Sequence, residues 1–509
     1  MHTITITPDL ILTPAMITTL ARHDTEIKLS PESASQIKHC RQGLESVLND
    51  GLPHYGINTG FGSLSNQRIE QHDLENLQRN LIRSHAAGVG DLLEDEVVRA
   101  MMFVLACSLS RARSGVRVEV VEQIIGMLNA RITPHVPELG SVGASGDLAP
   151  LAHVAQAMIG EGSVTVNGNT AHALEALKNA GLSPLVLQAK EGLALINGTH
   201  LMAARFALIE HDLSQLVDAA LIANAMSIDA ARASHGYLDK RIYQARNQPG
   251  AQEVASTMRA LLKGSTIVES HAENDPRVQD PYSFRCAPLV LGAVLDSLRS
   301  CQSSLHAELG AVTDNPLIFE TKDGPPDIVS AGCFHGMPVA IPLDTVAIGL
   351  AHMSGISERR MYHILSVFDP ESQLRAFMSP KPGVMSGFMI VQYAAAAICN
   401  ELIGLANPAS VVNLSTCAGM EDYNSFGPRS AAKAQRSLKL SRSVIAMELL
   451  CAAEGIEAHR PHRSGDMVEA AIEMIRTVVP SLTEDRSPSP DVTAIETLIQ
   501  SDGFAFTLD

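Results

Sequence analysis

The sequence predicts a mainly α-helical protein, a long central helical bundle with a smaller mixed domain at the N-terminus. Three observations carry this. Hydrophobic residues make up 46% of the 509 residues and aromatics only 4%, with no Trp, a balance that suits close-packed helices rather than a β-sandwich. From Thr199 onward Phe206, Ile209, Leu213, Leu216, Ala220 and Ala223 recur at alternating steps of three and four, the apolar stripe of one long helix. Before that point Gly and Pro interrupt the text repeatedly, as in HYGINTGFGS, with helical patches between.

A chain of this length divides into packed regions, and the change of texture places the division between residues 1–198, the mixed domain, and 199–509, the bundle with a C-terminal helical segment. In chain order, MHTITITPDL alternates Thr and Ile like a short strand. It lacks the charged start and apolar core of a signal peptide, so no export is expected. Residues Ser163 to Asn167, with VTVNG, read as a hairpin. Further long helices are predicted at roughly 284 to 310, 338 to 365, 386 to 405 and 428 to 456. Their heptad-like repeat favours side-by-side packing of protomers, hence a homo-oligomer. The most apolar run, Val384 to Leu405, contains Gln392, Asn400 and Glu401, which makes it a core helix and not a membrane span. Pro480 to Asp491 reads as an exposed, turn-rich segment before a short final helix.

A formal charge of −17, from 38 basic and 55 acidic residues, argues against a nucleic-acid partner or an anionic membrane surface. The eight cysteines are far apart, without a C-x-x-C pair, as expected of reduced thiols in a cytoplasmic protein. His335, His352 and His363 show no metal-ligand spacing, and neither a metal nor an external cofactor is expected.

Ala-Ser-Gly alone turns up by chance in about one chain in five of this length. The run Gly140 to His153, GSVGASGDLAPLAH, says more: its glycines relieve a tight backbone, and Asp147 and Pro150 suit the start of a helix. A strained turn there would bring the amide nitrogen of Gly146 onto the carbonyl carbon of Ala144, and dehydration of Ser145 would then give a methylidene-imidazolone electrophile. An anion-binding helix N-terminus or a plain interdomain loop is the alternative. Tyr55, in the glycine-rich HYGINTGFG, is a candidate base or donor, or else a tyrosine that packs a loop. Tyr282 and Arg285 stand three apart in QDPYSFRC, on one face of any helix there. An Arg so placed grips a carboxylate in a bidentate fork, or forms a surface ion pair. His85, in LIRSHAAGVG, is by itself as consistent with a satisfied core residue as with a catalyst.

GSVGASGDLAPLAH resembles the autocatalytic prosthetic-group motif of the aromatic amino acid ammonia-lyase family, and the resemblance continues in order through YGINTGFG, LIRSHAAGVG, LALINGT, QDPYSFRC, AVTDNPLIF, SERR, SGFMIVQ and EDYNSFGP. It implies a 4-methylidene-imidazol-5-one formed from Ala144, Ser145 and Gly146. Tyr55 would be the catalytic tyrosine, with Gly62 in the loop that closes over substrate. Arg285 would hold the substrate carboxylate, with Tyr282 a catalytic neighbour and Gln279 a binding one. Asn197 would be a polar contact near substrate and prosthetic group. His85 and Glu421 would meet the substrate side chain, and Phe334 would be a further substrate-binding residue. The resemblance also implies a homotetramer whose sites draw residues from more than one chain, and elimination of ammonia from an aromatic L-amino acid.

Ser84-His85 and Glu421 resemble the pattern of histidine-specific members, whose product is urocanate, because an imidazole and a carboxylate suit a polar ring. His200, Leu289, Gly310, Cys333 and Met420 depart from that pattern at substrate-facing motifs. A tyrosine-specific lyase giving p-coumarate therefore stays open, since His85 would also bond a phenol, as does a 2,3-aminomutase that returns ammonia to the β-carbon. An inactive scaffold protein would have no need of Ala144-Ser145-Gly146.

Overall fold

The computed structural model of the chain describes residues 2–507 except 49, 51, 65, 274, 323, 367 and 368. It contains nineteen α-helices among the described residues, joined by short strands and turns. The described chain forms two compact units, Met1–Leu208, Gln302–Leu343 and Pro408–Ala432 in one, Ile209–Cys301, Asp344–Asn407 and Lys433–Asp509 in the other.

All the strands among the described residues fall in the first unit. The Thr-Ile alternation at the start becomes the strand His2–Ile6, paired in parallel with Thr25–Leu29. The predicted hairpin is the antiparallel pair Ser163–Val166 and Asn169–His172. Its turn residues Asn167 and Gly168 both take positive φ, at 49° and 79°, the geometry that favours Asn-Gly in two-residue hairpins. The core of this unit is the helix Asp95–Leu109, buried continuously from Val97 to Leu109, and it includes one cation. Arg99 donates to the carbonyls of Leu20, Ala21 and Leu128 at 3.1, 3.2 and 3.2 Å, satisfying the C-terminal turns of the helices Pro14–Arg22 and Val118–Asn129.

The predicted long helix is His200–Ala230, and the whole 3-4 stripe from Phe206 to Ala223 is buried. The other long helices are Ala287–Leu309, Met337–Leu365, Met389–Leu405 and Gly427–Glu457. Two start later than their periodicity suggests. Pro288 belongs to the first turn of its helix and cannot continue an earlier one, so Tyr282–Arg285 is a separate helical turn. Gly387, at φ 58°, keeps the third from starting before Met389.

In the second unit the fully buried carboxylate of Glu448 accepts from the hydroxyls of Ser227 and Ser357 at 2.6 Å each and, through both oxygens, from the guanidinium of Arg360. Breaking such a pair from one side costs about 3–5 kcal/mol, because it strands the other charge without water. Gly250 and Gly292 let the helices Pro249–Leu261 and Ala287–Leu309 touch backbone to backbone: a Cβ on Gly250 would lie 2.2 Å from the Gly292 carbonyl oxygen. Met337–Leu365 is the one helix among the described residues long and apolar enough to cross a membrane, and 56% of its most apolar window is buried, as in a core helix.

Candidate active site

The loop between the strand Pro137–Leu139 and the helix Ala149–Met158 is tied down at nearly every residue. Ser141 Oγ accepts from Gly143 N at 3.1 Å and donates to the Gly146 carbonyl at 3.0 Å. Ser425 Oγ donates to the Gly143 carbonyl at 3.0 Å, and Phe426 N to that of Val142 at 2.8 Å. On the other side Asp147 N donates to Gly198 O at 2.8 Å. These ties hold the backbone in rare conformations, with φ 71° at Gly143, 74° at Gly146 and 37° at Leu148, the last a strained value for a residue with a side chain. A Cβ on Gly146 would lie 2.1 Å from Gly198 O, so only glycine fits. A crowded glycine, a buried Ala144 and a Ser145 that lines a cavity fit the three residues from which a methylidene-imidazolone would form.

That cavity, about 870 Å³, is lined by residues of the first unit, among them Tyr55, His85, Ser145, Asn197, Phe334 and Glu421. Six residues named from the sequence thus meet in one place. Tyr55 sits in a turn, where its hydroxyl oxygen accepts from Gly62 N at 3.3 Å. Burial pushes its phenol above the usual tyrosine range; the Gly62 amide opposes that shift and nearby Glu421 adds to it. His85 ends the helix Leu74–His85, and its Nδ1 lies 2.9 Å from the Leu81 carbonyl. A carbonyl only accepts, so we assign the Nδ1–H tautomer, which leaves Nε2 an acceptor. Burial lowers the pKa of this imidazole, with the Leu81 bond opposing.

Glu421 comes from the segment after Pro408, far away in sequence. Its Oε1 accepts from Ser145 Oγ at 2.8 Å and its Oε2 from Thr416 Oγ1 at 2.9 Å. Asn197, buried, donates through Nδ2 to the Asn315 carbonyl at 3.3 Å. Asn315 also lines the cavity and was not singled out from the sequence, although AVTDNPLIF was. Gln67 and Asn80 line it too, and nothing in their sequence surroundings marks them.

Gln279, Tyr282 and Arg285 belong to the second unit and form a group of their own. The Arg285 guanidinium donates to Gln279 Oε1 at 3.0 Å and to the Asp280 carbonyl at 2.9 Å, and lies 4.4 Å from the centroid of the Tyr282 ring. Tyr282 is 70% exposed. Of the five departures from the histidine pattern, Met420 lines the cavity, while Leu289 and Cys333 are exposed. No group of three or more His, Cys, Asp or Glu among the described residues is arranged to hold a metal ion.

His200 is buried beside Gly198, and neither ring nitrogen meets a hydrogen-bond partner among the described residues. Burial drops its pKa from 6.5 to about 4. The folded chain therefore binds fewer protons than the unfolded one between those values, and stability falls as pH drops through them. At about 1.4 kcal/mol per unit the full cost is about 3 kcal/mol. His200→Gln is expected to lessen this loss: between pH 7 and pH 5 its melting temperature should fall less than that of the unmodified chain, and an equal fall would refute the assignment.

The aromatic amino acid lyase family model matches residues 12–477. A histidine ammonia-lyase of Deinococcus radiodurans is 44% identical over 473 residues, 93% of this chain and 89% of that protein. Among solved structures, histidine ammonia-lyase from Trypanosoma cruzi is similar with a TM-score of 0.90 at 37% identity, covering 99% of this chain and 94% of that one. A tyrosine aminomutase from Streptomyces globisporus is similar with a TM-score of 0.90 at 32% identity, covering 98% and 97%. With the Ala-Ser-Gly loop at the wall of the cavity and matches that run nearly the whole length, the chain belongs to the aromatic amino acid lyase family.

Proposed function

We propose that this chain is a carbon-nitrogen lyase that eliminates ammonia from L-histidine to give urocanate. The observation that carries the reading is the single cavity that joins Ser145, Tyr55, His85 and Glu421. The methylidene-imidazolone that would form from Ala144, Ser145 and Gly146 supplies an electrophile no ordinary side chain offers, which turns the amino group into a better leaving group. Tyr55 removes the β-proton. Asn197 orients the polar end of the substrate. His85 Nε2 and Glu421 accept hydrogen bonds from its ring, and Phe334 covers an apolar flank.

Two acceptors against one ring favour an imidazole, which in its protonated form has two N–H donors, over a phenol, which has one O–H. Glu421 Oε1 is taken up by Ser145 Oγ only while that hydroxyl exists. Once it has left, the carboxylate is available to substrate. Supporting the histidine reading further is the identity to the Deinococcus protein. Tyrosine is the second reading, because an acceptor Nε2 also takes a phenol proton and a tyrosine aminomutase shares the fold.

The carboxylate-binding Arg285, with Tyr282 and Gln279, reaches the site from a neighbouring copy in a homotetramer. What supports this is that the three form an ordered group outside the cavity lining, with Tyr282 exposed. The small-molecule amino acid is then the only external reactant.

An ultraviolet assay of the purified chain against L-histidine, L-tyrosine and L-phenylalanine tests the substrate. Urocanate should form fastest; p-coumarate without urocanate would overturn the reading. The pH dependence has two limbs. His85 stays neutral, and an acceptor, to below the ordinary imidazole range, so its protonation should raise KM as pH falls beneath that range, while at higher pH KM should rise as the substrate imidazole loses its second N–H. The Tyr55 phenol is protonated at neutrality, so kcat should climb as pH rises toward its raised pKa.

A further inference from the structure

We infer that Glu421 has an earlier task than substrate binding: it is a positioning residue for maturation, holding the Ser145 hydroxyl that has to leave. The inference rests on the reading that Ala144, Ser145 and Gly146 become the prosthetic group.

Maturation removes two waters and needs no oxidant. In the first, the Gly146 nitrogen bonds to the Ala144 carbonyl carbon, and that oxygen departs with one proton from the Gly146 nitrogen and one from the Ser145 nitrogen, leaving a C=N bond. In the second, Ser145 loses its Cα proton and the Cβ–Oγ bond breaks. The electron pair left on Cα forms the Cα=Cβ bond, and the hydroxyl leaves with a proton as water. For this second step the breaking Cβ–Oγ bond has to stand out of the plane of the new ring, parallel to the orbital on Cα. A serine has three staggered positions for its hydroxyl, and a wrong one puts that bond near the ring plane.

Glu421 supplies the selection. Its Oε1 receives the Ser145 hydroxyl at 2.8 Å while Thr416 Oγ1 holds its Oε2 at 2.9 Å. Thr416 and Glu421 are also paired through their backbones, Thr416 N to Glu421 O at 2.8 Å and Glu421 N to Thr416 O at 3.3 Å. The carboxylate is thus presented by a closed loop, and hydrogen bonds to a charged acceptor are about twice as strong as neutral ones. No proton from Glu421 enters the balance above; it acts by fixing a torsion. The amide oxygen of a glutamine would do the same.

The test is a time course of cell-free synthesis of the full chain, quenched and digested, with the peptide carrying Ala144 to Gly146 weighed at each point. The unmodified chain should lose the mass of two waters. Glu421→Ala should mature more slowly by roughly tenfold to a hundredfold, accumulating peptide that still has the Ser145 hydroxyl. Glu421→Gln should mature close to the unmodified rate even though its elimination activity falls. Thr416→Val, which frees Oε2, should be slowed by a smaller factor. Maturation of Glu421→Ala at the unmodified rate overturns the inference, as does Glu421→Gln as slow as Glu421→Ala, which would make the group a proton carrier. Should Glu421→Ala fail to fold by circular dichroism, Thr416→Val decides, and an unmodified rate there overturns the inference. An unmodified chain that never loses water overturns instead the reading on which it rests.

Discussion

Ser145→Ala is expected to lower kcat by at least on the order of 10³-fold while the protein stays folded. The loss is chemical: alanine has no hydroxyl to leave, so no exocyclic double bond forms and the cavity lacks its electrophile. The fold should tolerate the change because what the precursor loses is one hydrogen bond, from Ser145 Oγ to Glu421 at the cavity wall, worth about 1 kcal/mol, and the mature chain has already given up that hydroxyl. The backbone ties of Ser141, Ser425 and Gly198 to this loop are untouched. Far-ultraviolet circular dichroism and the melting temperature check the fold, and urocanate absorbance checks turnover. Turnover within tenfold of the unmodified chain would remove Ser145 from the chemistry.

Tyr55→Phe is expected to reduce kcat by about 10²–10⁴-fold, the usual contribution of a general base, with KM nearly unchanged. The substitution removes only the phenolic oxygen and the bond it accepts from Gly62 N, and the ring still lines the cavity. Its signature lies in the pH profile. The unmodified chain should gain kcat with rising pH as the phenol, held protonated by burial, ionises, and the variant should lose that rise. A variant that keeps the alkaline rise, or in which KM rises and kcat does not fall, would assign the β-proton to another group.

The elements that local pattern controls were legible in the sequence. The strand His2–Ile6 followed from alternation, the hairpin turn from Asn167-Gly168, and the helix His200–Ala230 from steps of three and four. The residues of the site were legible through the family's motifs and not through spacing, since Ser145 and Glu421, 276 positions apart, have no shared periodicity. What was not legible is what depends on the chain returning on itself. Residues 302–343 and 408–432 join the first unit, and only that return brings Asn315 to Asn197 and Glu421 to Ser145. The His200 ring, without a hydrogen-bond partner among the described residues, and the bonding of Arg285 to Gln279 and the Asp280 carbonyl are likewise facts of three-dimensional placement, which a motif does not carry.

The most direct test of the central claim is the mass of the peptide that carries Ala144, Ser145 and Gly146, taken from protein that is actively forming urocanate. The account predicts a peptide lighter than its sequence by two waters, with the deficit confined to those three residues. An active preparation in which that peptide has its full sequence mass would contradict it.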